Sequence, residues 1–340
     1  MSFTNFPNGI TSFGVPIFGG GIAPTFGNVF YLVTAKTDAD PYYNLMKNLL
    51  PDANIFSTLS SAYTNMTSSQ GDTLIVMPGD HVQTASLTWA KHDTRITGWG
   101  SPNQIYQPGT LTTGAVRIST ATSAVSEILN VTGHYVQLQN FGTYNSYSGA
   151  TNYGDVRIVG RNAYLHRMSL RGGNGATQLA TDGAGVPLIV DTTTSGAGNG
   201  LLVENSTIGS SGNGVRSKGP GCLEFLGPGV SAGFGTHFVN CTFSARVEIA
   251  TANNVGMVSL TGQAAADREL LFDNCFFYNF VQGLGTGPTY VIRDAVTTTH
   301  QIIIKNCTAN KGFTAWTDAT TYLSNSSTLG GAAYGIGLNS

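Results

Sequence analysis

The sequence predicts an all-β protein built as a parallel β-helix, a solenoid in which successive coils of the chain stack on one another. Two observations lead to this prediction. Short strand-like runs fill the chain from about residue 73 to about residue 310, and no helical period of useful length interrupts them. In addition, one short motif recurs several times at a nearly constant spacing, and recurrence every ~20–50 residues is typical of stacked repeats.

The recurring motif consists of alternating apolar residues followed by asparagine and a small residue, as in "LLVENS", "HFVNC", "LLFDNC" and "IIIKNC". Its asparagines are Asn205, Asn240, Asn274 and Asn306, which are 35, 34 and 32 residues apart. A weaker copy, "YVQLQNF", contains Asn140, and Arg167 takes the place of asparagine in "YLHRMSL". The motif therefore extends over at least half of the chain.

We interpret these asparagines as a structural ladder at one corner of the β-helix. Equivalent side chains of stacked coils lie ~4.8 Å apart, and asparagine tolerates the left-handed backbone that a tight corner needs. Buried amides need partners, which a column of identical amides supplies. The residue after each asparagine, Ser206, Cys241, Cys275 or Cys307, is then a small interior side chain.

A reactive, disulfide-bonded or metal-binding role for the cysteines is the alternative, and the sequence disfavours it. The four cysteines show no Cys-x-x-Cys spacing, and no histidine or basic residue follows the pattern. No metal, cofactor or catalytic residue is predicted, and free thiols are expected from synthesis in a reducing cytoplasm. The Asn-x-Ser/Thr sequons at Asn205, Asn240 and Asn306 lie inside the packed motif, so we interpret them as chance matches.

Composition argues against two classes of partner. The chain has 16 basic and 18 acidic residues, a net charge of -2, and only 10% charged residues, against ~25% in an ordinary soluble domain. This balance gives no electrostatic reason to expect nucleic acid or an anionic membrane as partner. No apolar stretch reaches the ~18 residues that a membrane span needs. The first residues lack the basic and apolar regions of a secretory signal.

The chain divides into four predicted segments: an extended N-terminal arm (1–33), a helical cap (34–70), the β-helix (71–312) and a C-terminal cap or tail (313–340). The arm is too apolar for a free linker, yet glycine and proline break it too often for a helix or central strand. It either docks on another surface or folds back on its own body. Its candidate docking residues are Phe3, Phe6, Pro7, Ile10, Phe13, Val15, Ile17 and Phe18.

Two short helices are predicted before the first coil. Asp40 is placed to cap the first helix, with Pro41 in its opening turn. Asn54 is the candidate cap of the second, whose apolar face would carry Ile55, Leu59, Ala62, Tyr63 and Met66. Within the β-helix, the glycine-rich stretches 172–185, 192–200 and 210–235 are predicted to be loops between coils.

Acidic residues, which polysaccharide cleavage would need as a pair or a calcium cluster, are scattered singly. The one close pair on the coils is Asp267 with Glu269, and the intervening Arg268 indicates a solvated loop. His92, Asp93 and Arg95 could form a small polar site, although an ordinary turn is the favoured interpretation. His166, His237 and His300 lie on or beside strands and are interpreted as structural.

Aromatic residues give the remaining candidate surfaces. Trp89, Trp99 and Trp316 are either platforms for sugars or, as we favour, plugs at the ends of the stack. Tyr144, Tyr147 and Tyr153 lie together in "TYNSYSGATNYG" and are the better candidates for a recognition or trimer-contact surface, because tyrosine is favoured at interfaces.

The segment "SSAYTNMTSSQGDTLIVMPGDHV" resembles the opening motif of the right-handed β-helix, or pectate-lyase-like, superfamily: a helix followed by Gly71-Asp72-Thr73 and Pro78-Gly79. The opening "FPNGITSFGVPIFGGG" resembles the N-terminal segments of bacteriophage virion proteins that carry such β-helices. The likeness to the superfamily covers roughly residues 54–310.

The resemblance implies a right-handed β-helix that forms a homotrimer. It also implies a non-enzymatic phage structural protein, made in the host cytoplasm and located at the capsid surface of the virion. In this interpretation the chain is a decoration (cement) protein whose arm binds the major capsid protein or another virion protein. The alternative is a tailspike or adhesin that binds or depolymerises a host surface glycan. A free bacterial polysaccharide lyase is disfavoured.

Overall fold

The computed structural model describes residues 11–12, 15–16, 27–102, 115–149, 154–181, 183–194, 196–210, 216–227, 235–247, 256–260, 269–280, 290–294, 301–310, 313, 315–317, 322–325 and 328–329. Its helices are α1 (Pro41–Met46), α2 (Leu59–Asn65) and α3 (Ala176–Leu179), with one 3₁₀ turn at Asp52–Asn54. None of these helices is long and apolar enough to cross a bilayer. The rest of the regular structure is β-strand, as the sequence predicts.

Three long parallel sheets make up the body. Sheet 1 contains Ile55–Phe56, Val29–Leu32, Thr73–Val76, Arg95–Gly98, Gln137–Gln139, Tyr164–His166, Leu202–Glu204, Thr236–Val239, Glu269–Asp273, Gln301–Lys305 and Tyr322–Asn325, in spatial order. Sheet 2 contains Gly79–Gln83, Ala115–Thr120 with Ser101–Pro102 beside it, Gly142–Asn145, Ser169–Gly173, Thr207–Ile208, Thr242–Ala245, Phe276–Asn279, Thr308–Ala309 and Thr328–Leu329. Sheet 3 contains Thr88–Trp89, Glu127–Val131, Gly154–Ile158, Val186–Asp191, Leu223–Leu226, Val258–Leu260, Tyr290–Asp294 and Ala315–Thr317.

Each coil passes through sheets 1, 2 and 3 in turn and then returns to sheet 1 beside the previous coil, so neighbouring strands are parallel. The register is constant enough to stack equivalent residues. In sheet 1 the inward column consists of Leu138, Leu165, Val203, Phe238, Phe272 and Ile304. The parallel β-helix predicted from the recurring motif is therefore present in the structure.

The core is the interior of this stack, and aromatic side chains fill its later coils. The rings of Phe238 and Phe272 stack with centroids 5.2 Å apart, and those of Phe243 and Phe277 lie 4.7 Å apart. All four side chains are fully buried. Burial of a phenylalanine side chain contributes about 1.5–3 kcal/mol, and a well-placed aromatic pair adds ~0.5–1.5 kcal/mol. Coil-to-coil packing in this region is thus strong without any covalent link.

Helix α2 closes the N-terminal end of the core. Its residues Leu59 and Ala62 are fully buried, and Tyr63 packs on Trp89 with ring centroids 5.0 Å apart. The ammonium of Lys91 donates to the carbonyl oxygens of Tyr63 and Met66 at the end of the helix. A cation at that position satisfies carbonyls that have no partner within the helix.

The predicted cap of α1 is confirmed, and the predicted cap of α2 is wrong. Asp40 caps α1, accepting from the backbone N–H groups of Tyr42 and Tyr43. The cap of α2 is Thr58 rather than Asn54, which ends the preceding 3₁₀ turn. The chain between them forms the strand Ile55–Phe56, because its apolar side chains complete the edge of sheet 1.

The opening motif has a structural explanation in Asp72, which is fully buried. One carboxylate oxygen accepts from the N–H of Asn28 at 2.6 Å, and the other accepts from the N–H of Thr67 at 2.6 Å. A Cβ atom at Gly27 would lie 2.4 Å from this carboxylate. Asp72 therefore ties the end of α2 to the first strand of sheet 1, and glycine is needed where the chains meet.

The structure moves several predicted boundaries. Val29–Leu32 is a strand of sheet 1, so the last residues of the predicted 1–33 arm belong to the body. Tyr322–Asn325 and Thr328–Leu329 continue sheets 1 and 2 beyond the predicted end of the β-helix at residue 312. Two predicted loops also contain regular structure: 172–185 holds α3, and 210–235 holds the sheet 3 strand Leu223–Leu226.

Candidate functional site

The predicted asparagine ladder occupies the corner between sheets 1 and 2. The four asparagines, together with Asn140 and Arg167, follow register-matched residues of sheet 1. The φ angles of Asn140, Arg167, Asn205, Asn240, Asn274 and Asn306 are 60°, 53°, 51°, 54°, 53° and 51°. Each backbone N–H from Asn140 to Asn274 donates to a carbonyl of the next coil. The left-handed corner thus continues the hydrogen bonding of the sheet around the bend.

The side chains of this column differ from the expected buried amides. Asn205, Asn240, Asn274 and Asn306 are exposed, and they point away from the core. Asn240 donates to Asn205 at 3.4 Å and Asn274 donates to Asn240 at 2.7 Å, but Asn306 donates to Asp273 at 3.4 Å. The amide ladder therefore links three coils and then ends. Backbone conformation explains the asparagines better than burial does, since Arg167 adopts the same φ.

Of the four buried cysteines, Cys222 precedes the sheet 3 strand Leu223–Leu226, and the other three lie directly beneath this corner. Their thiols donate to carbonyls of the adjoining coil: Cys241 to Val203 at 3.4 Å, Cys275 to Phe238 at 3.3 Å and Cys307 to Phe272 at 3.3 Å. Ser206 occupies the equivalent place and accepts from the N–H of Met168 at 3.0 Å. All four cysteines are free thiols. Burial raises the pKa of Cys222 and Cys275, which disfavours the thiolate that nucleophilic chemistry requires.

A second column of left-handed residues, which sequence reasoning missed, precedes the strands of sheet 1. It consists of Gly71, Asp93, Tyr135, Asn162, Gly200 and Gly235, with φ between 51° and 75°. Four residue types share this corner, and glycine, which is common throughout the chain, takes three of the six positions, so the column does not stand out in the sequence. His92 and His134, beside it, lie with ring centroids 4.7 Å apart. Of the predicted polar site, Arg95 donates to Gln137 at 2.9 Å, and Nδ1 of His92 accepts from the backbone N–H of His134 at 2.9 Å.

Two acidic residues of sheet 3, Glu127 and Asp191, form ion pairs with Arg157 of the coil between them. The guanidinium of Arg157 bonds Glu127 at 3.1 Å on one side and Asp191 on the other. Burial alone would raise the pKa of Asp191, but hydrogen bonds from Thr193 and Arg157 outweigh it and hold the pKa below its ordinary value. Such an arrangement fixes the two carboxylates as permanent acceptors for arginine, which suits a structural role.

Asp155 is the most strongly perturbed carboxyl group of the described chain, and it is fully buried. One of its oxygens accepts from the hydroxyl of Thr143 at 2.6 Å and from the N–H groups of Arg171 and Gly172 at 3.1 and 2.8 Å. Burial raises the pKa of Asp155 to about 6, although these hydrogen bonds act in the opposite direction. The group joins its own strand in sheet 3 to two neighbouring strands of sheet 2.

The predicted aromatic surface is only partly described. Tyr144 is half-buried beneath the guanidinium of Arg117, 5.2 Å from its ring centroid, and Tyr147 is also half-buried. Tyr153 lies outside the described residues. Trp89 and Trp316 are buried near opposite ends of the stack, whereas Trp99 is 46% exposed. The interpretation as interior plugs thus fits two of the three tryptophans.

An aromatic row on the outer face of sheet 2, half-buried at Phe276 and Tyr278 and 37% exposed at Phe280, was not predicted. Phe276, Tyr278 and Phe280 alternate with the inward Phe277 and Asn279. Ring centroids are 6.0 Å apart for Phe276 and Tyr278, and 6.4 Å apart for Tyr278 and Phe280. The sequence signal for this row is the aromatic residue at every second position of "FFYNF", directly after the Asn-Cys pair.

The remaining candidates lie mostly outside the described residues. Of the predicted docking residues only Val15 is described, in the strand Val15–Pro16, which pairs antiparallel with Thr11–Ser12. His300 and Asp267 are also outside. His237 contacts Glu269 at 3.2 Å. Within the described residues, no group of three or more histidine, cysteine, aspartate or glutamate side chains is placed to hold a metal ion.

Comparison with known proteins establishes the fold and leaves the family open. No family model and no curated protein matches the chain. Among solved structures, the chain is similar to a deglycosylated pectin methylesterase from Aspergillus niger, with 14% identity, a TM-score of 0.54, and coverage of 91% of this chain and 87% of that one.

Two further solved structures give the same result. A pectin methylesterase from Erwinia chrysanthemi matches with 14% identity, a TM-score of 0.52, and coverage of 86% of this chain and 82% of that one. The pectate lyase Pel9A matches with 12% identity, a TM-score of 0.53, and coverage of 90% and 80%. These likenesses support the right-handed parallel β-helix predicted above. At such identities they concern the fold alone.

Proposed function

We propose that the chain is a non-enzymatic structural protein of a bacteriophage virion: a homotrimeric capsid decoration protein attached through its N-terminal arm. The observation that carries this proposal is the contrast between arm and body. Residues 1–35 contain no charged side chain, the first being Lys36, and five of the 17 phenylalanines fall within the first 26 residues. A segment so apolar needs a surface to cover it.

The described body closes the N-terminal end of its core with a helix of its own. Helix α2 covers that end through Leu59 and Ala62, and Asp72 anchors the first strand to the helix. In this proposal the arm binds another surface, such as the major capsid protein, another virion protein or a neighbouring protomer. Each buried phenylalanine of the arm would contribute roughly 1.5–3 kcal/mol, offset in part by ordering a glycine-rich chain.

The ion pairs of sheet 3 also favour a structural role. Glu127 and Asp191 are almost fully buried and are both held by Arg157. A carboxylate that acts as a general base or nucleophile must instead face its substrate. The virion location follows from the resemblance of the arm, and a threefold assembly would match symmetric positions of a capsid lattice.

Removal of residues 2–26 tests the arm, because this deletion leaves the strand Val29–Leu32 in place. We expect a folded trimeric body that is absent from purified virions of the parental phage, as measured by cryo-electron microscopy and by protein composition. Phe6→Asp should weaken attachment strongly, whereas the matched control Asn5→Asp adds the same charge beside it and should not. Normal occupancy by the deleted protein would contradict the docking role.

A second candidate is a tailspike or adhesin that binds or depolymerises surface polysaccharide. The outer row of Phe276, Tyr278 and Phe280 favours it, since outward aromatic rings can pack on apolar faces of sugars. A glycan array with the intact protein and with Phe280→Ala separates the two candidates. Array binding lost in the variant would support recognition, and clear depolymerisation of a capsular polysaccharide would overturn the non-enzymatic proposal.

A further inference from the structure

A column of side-chain acceptors links the early coils at the corner that precedes sheet 1. The backbone N–H of His92 donates to Oγ of Ser68 at 2.9 Å. That of His134 donates to Nδ1 of His92 at 2.9 Å, and that of Arg161 donates to Nδ1 of His134 at 3.0 Å. Each donor lies one coil beyond its acceptor, as the order of the strands in sheet 1 shows. Two of the three links in this column therefore depend on an imidazole nitrogen.

Backbone hydrogen bonds run beside these links in the opposite direction. The N–H of Asp93 donates to the carbonyl of His134 at 2.9 Å, and the N–H of Tyr135 donates to that of Arg161 at 2.9 Å. The turns are also in close contact, because a Cβ atom at Gly133 would lie 2.3 Å from the carbonyl oxygen of Lys91. The two imidazoles are thus part of the connection between coils.

The direction of the hydrogen bonds fixes the protonation state of both rings. A ring nitrogen that accepts from an N–H carries no proton, so His92 and His134 are neutral, with their proton on Nε2. A second proton can bind only at Nδ1, where it would face the backbone N–H of the next coil. Two donors cannot share a hydrogen bond, so protonation removes the link. The hydroxyl of Ser68 has no comparable charged state near neutral pH.

The surroundings of the pair oppose a positive charge. The ring centroids of His92 and His134 are 4.7 Å apart, and both side chains are half-buried. In the described part of the chain, the other charged groups on the turns packed around them are Lys91, Asp93 and Arg161. The ammonium of Lys91 donates to carbonyls at the end of helix α2.

Burial, and next the charges of His92 and Arg161, lower the pKa of His134, whereas Asp93 acts in the opposite direction. The folded protein therefore binds this proton less tightly than the unfolded chain does. The contribution of the neutral ring to stability is present above the ordinary pKa of 6.5 and is lost as the pH falls below it.

We propose that His92 and His134 form an acid-sensitive link between coils: their neutral rings hold the next coil at neutral pH, and their protonation in mild acid releases it. The release is local, since it frees the amides of His134 and Arg161 while the bonds within the sheets remain. The proposal is independent of the virion role, because it concerns the body and uses no residue of the arm.

Amide hydrogen exchange of the full-length protein at pH 7.5 and pH 5 tests the link. Rates are expressed as protection factors, which removes the effect of pH on exchange in an unstructured chain. We expect protection of the His134 and Arg161 amides to fall at least about tenfold at pH 5. The amide of Tyr164 donates to the carbonyl of Val136 at 2.9 Å between the same coils and should keep its protection. Unchanged protection at His134 and Arg161, or an equal fall at Tyr164, would overturn the proposal.

His134→Asn replaces Nδ1 with an amide oxygen that accepts at either pH. The chain already uses asparagine in this way, since Oδ1 of Asn279 accepts from the N–H of Val247 at 2.8 Å. We expect the Arg161 amide of this variant to be equally protected at pH 7.5 and pH 5. The matched control His237→Asn removes a half-buried imidazole that contacts the carboxylate of Glu269, and the fall at Arg161 should persist in it. A fall that persists in His134→Asn would assign the acid response to another group and would contradict the link.

Discussion

The side-chain amide of Asn274 donates to Oδ1 of Asn240, one coil away, across 2.7 Å. Both residues are exposed, and their φ angles are 53° and 54°. A hydrogen bond between exposed amides competes with water and contributes little, whereas a positive φ costs most residues about 1–2 kcal/mol. Asparagine therefore suits the corner mainly because it tolerates a positive φ, and only secondarily because its side-chain amide forms a hydrogen bond.

Arg167 gives a direct test of this ranking. It occupies the same column with a φ of 53°, and its side chain is exposed. Arg167→Asn should raise the free energy of unfolding by roughly 0.5–1 kcal/mol, because asparagine tolerates the left-handed region better. Urea denaturation measures the change. Arg161→Asn, at an exposed turn position with ordinary φ, is the control and should not stabilise. A destabilised Arg167→Asn protein would show that backbone strain does not govern this column.

Substitution of Asn274 separates the backbone contribution from that of the amide. Asn274→Ala loses both and should cost about 1–2 kcal/mol, whereas Asn274→Gly loses only the hydrogen bonds and should cost clearly less. Midpoints of urea denaturation for the two variants, compared at equal m-value, provide the measurement. Should glycine prove as costly as alanine, the amide link between coils would contribute more to stability than the backbone conformation does.

Arg157 holds two nearly buried carboxylates, so its loss should be severe. Arg157→Gln leaves Glu127 and Asp191 without their cation, and breaking a buried pair in this way costs about 3 kcal/mol or more. The double variant Glu127→Gln/Arg157→Gln should recover part of the loss. For comparison, Lys36→Gln breaks an exposed pair with Asp52 and should leave the denaturation midpoint almost unchanged. Equal effects of Arg157→Gln and Lys36→Gln would contradict the assigned burial.

Protonation of Asp155 should make the protein more stable in mild acid than at neutral pH. Its pKa is raised to about 6 in the folded state, above the ordinary value of 3.8, so the folded protein binds the proton more tightly than the unfolded chain does. The stabilisation is fully present below pH ~4, is lost as the pH rises through 6, and amounts to about 3 kcal/mol. Urea midpoints between pH 4 and 7.5 measure it. Asp155→Asn should abolish this part of the pH dependence, and an unchanged profile in that variant would assign the effect to another group.

The four thiols should be protected in the folded protein. Cys222, Cys241, Cys275 and Cys307 are buried, so a disulfide reagent has no access to them in the folded protein. We expect reaction with Ellman's reagent at pH 8 to be slow in buffer and to reach four thiols per chain in 6 M guanidinium chloride. A Ser206→Cys variant adds a fifth, equally protected thiol at the equivalent place in the column. Rapid labelling of native protein would contradict the interior position.

The repeating part of the fold could be predicted from the sequence for a physical reason. A left-handed corner accepts few residue types, so Asn205, Asn240, Asn274 and Asn306 recur where the backbone demands them. The opening motif was equally readable, since Asp72 joins α2 to the first strand. Both signals arise from requirements that are local in sequence or identical in every coil.

Other features depended on what stacking brings together. The strand Leu223–Leu226 was hidden among glycines, and its identity depends on pairing with Val186–Asp191 rather than on its own pattern. The second corner column mixes Asp93, Tyr135 and Asn162 with three glycines, and glycine is too common in this chain to mark a repeat. Such juxtapositions depend on register, which the sequence of any one coil does not contain.

Helix α2 closes the N-terminal end of the β-helix, and this end is synthesised first. Each later turn of the spiral touches mainly the turns directly before and after it, so assembly needs no distant partner. During synthesis, each new coil can therefore pack on helix α2 and the coils already formed. The β-helix would lengthen by one coil for about every thirty residues synthesised. Folding of the β-helix can thus proceed from its N-terminal end toward its C-terminal end.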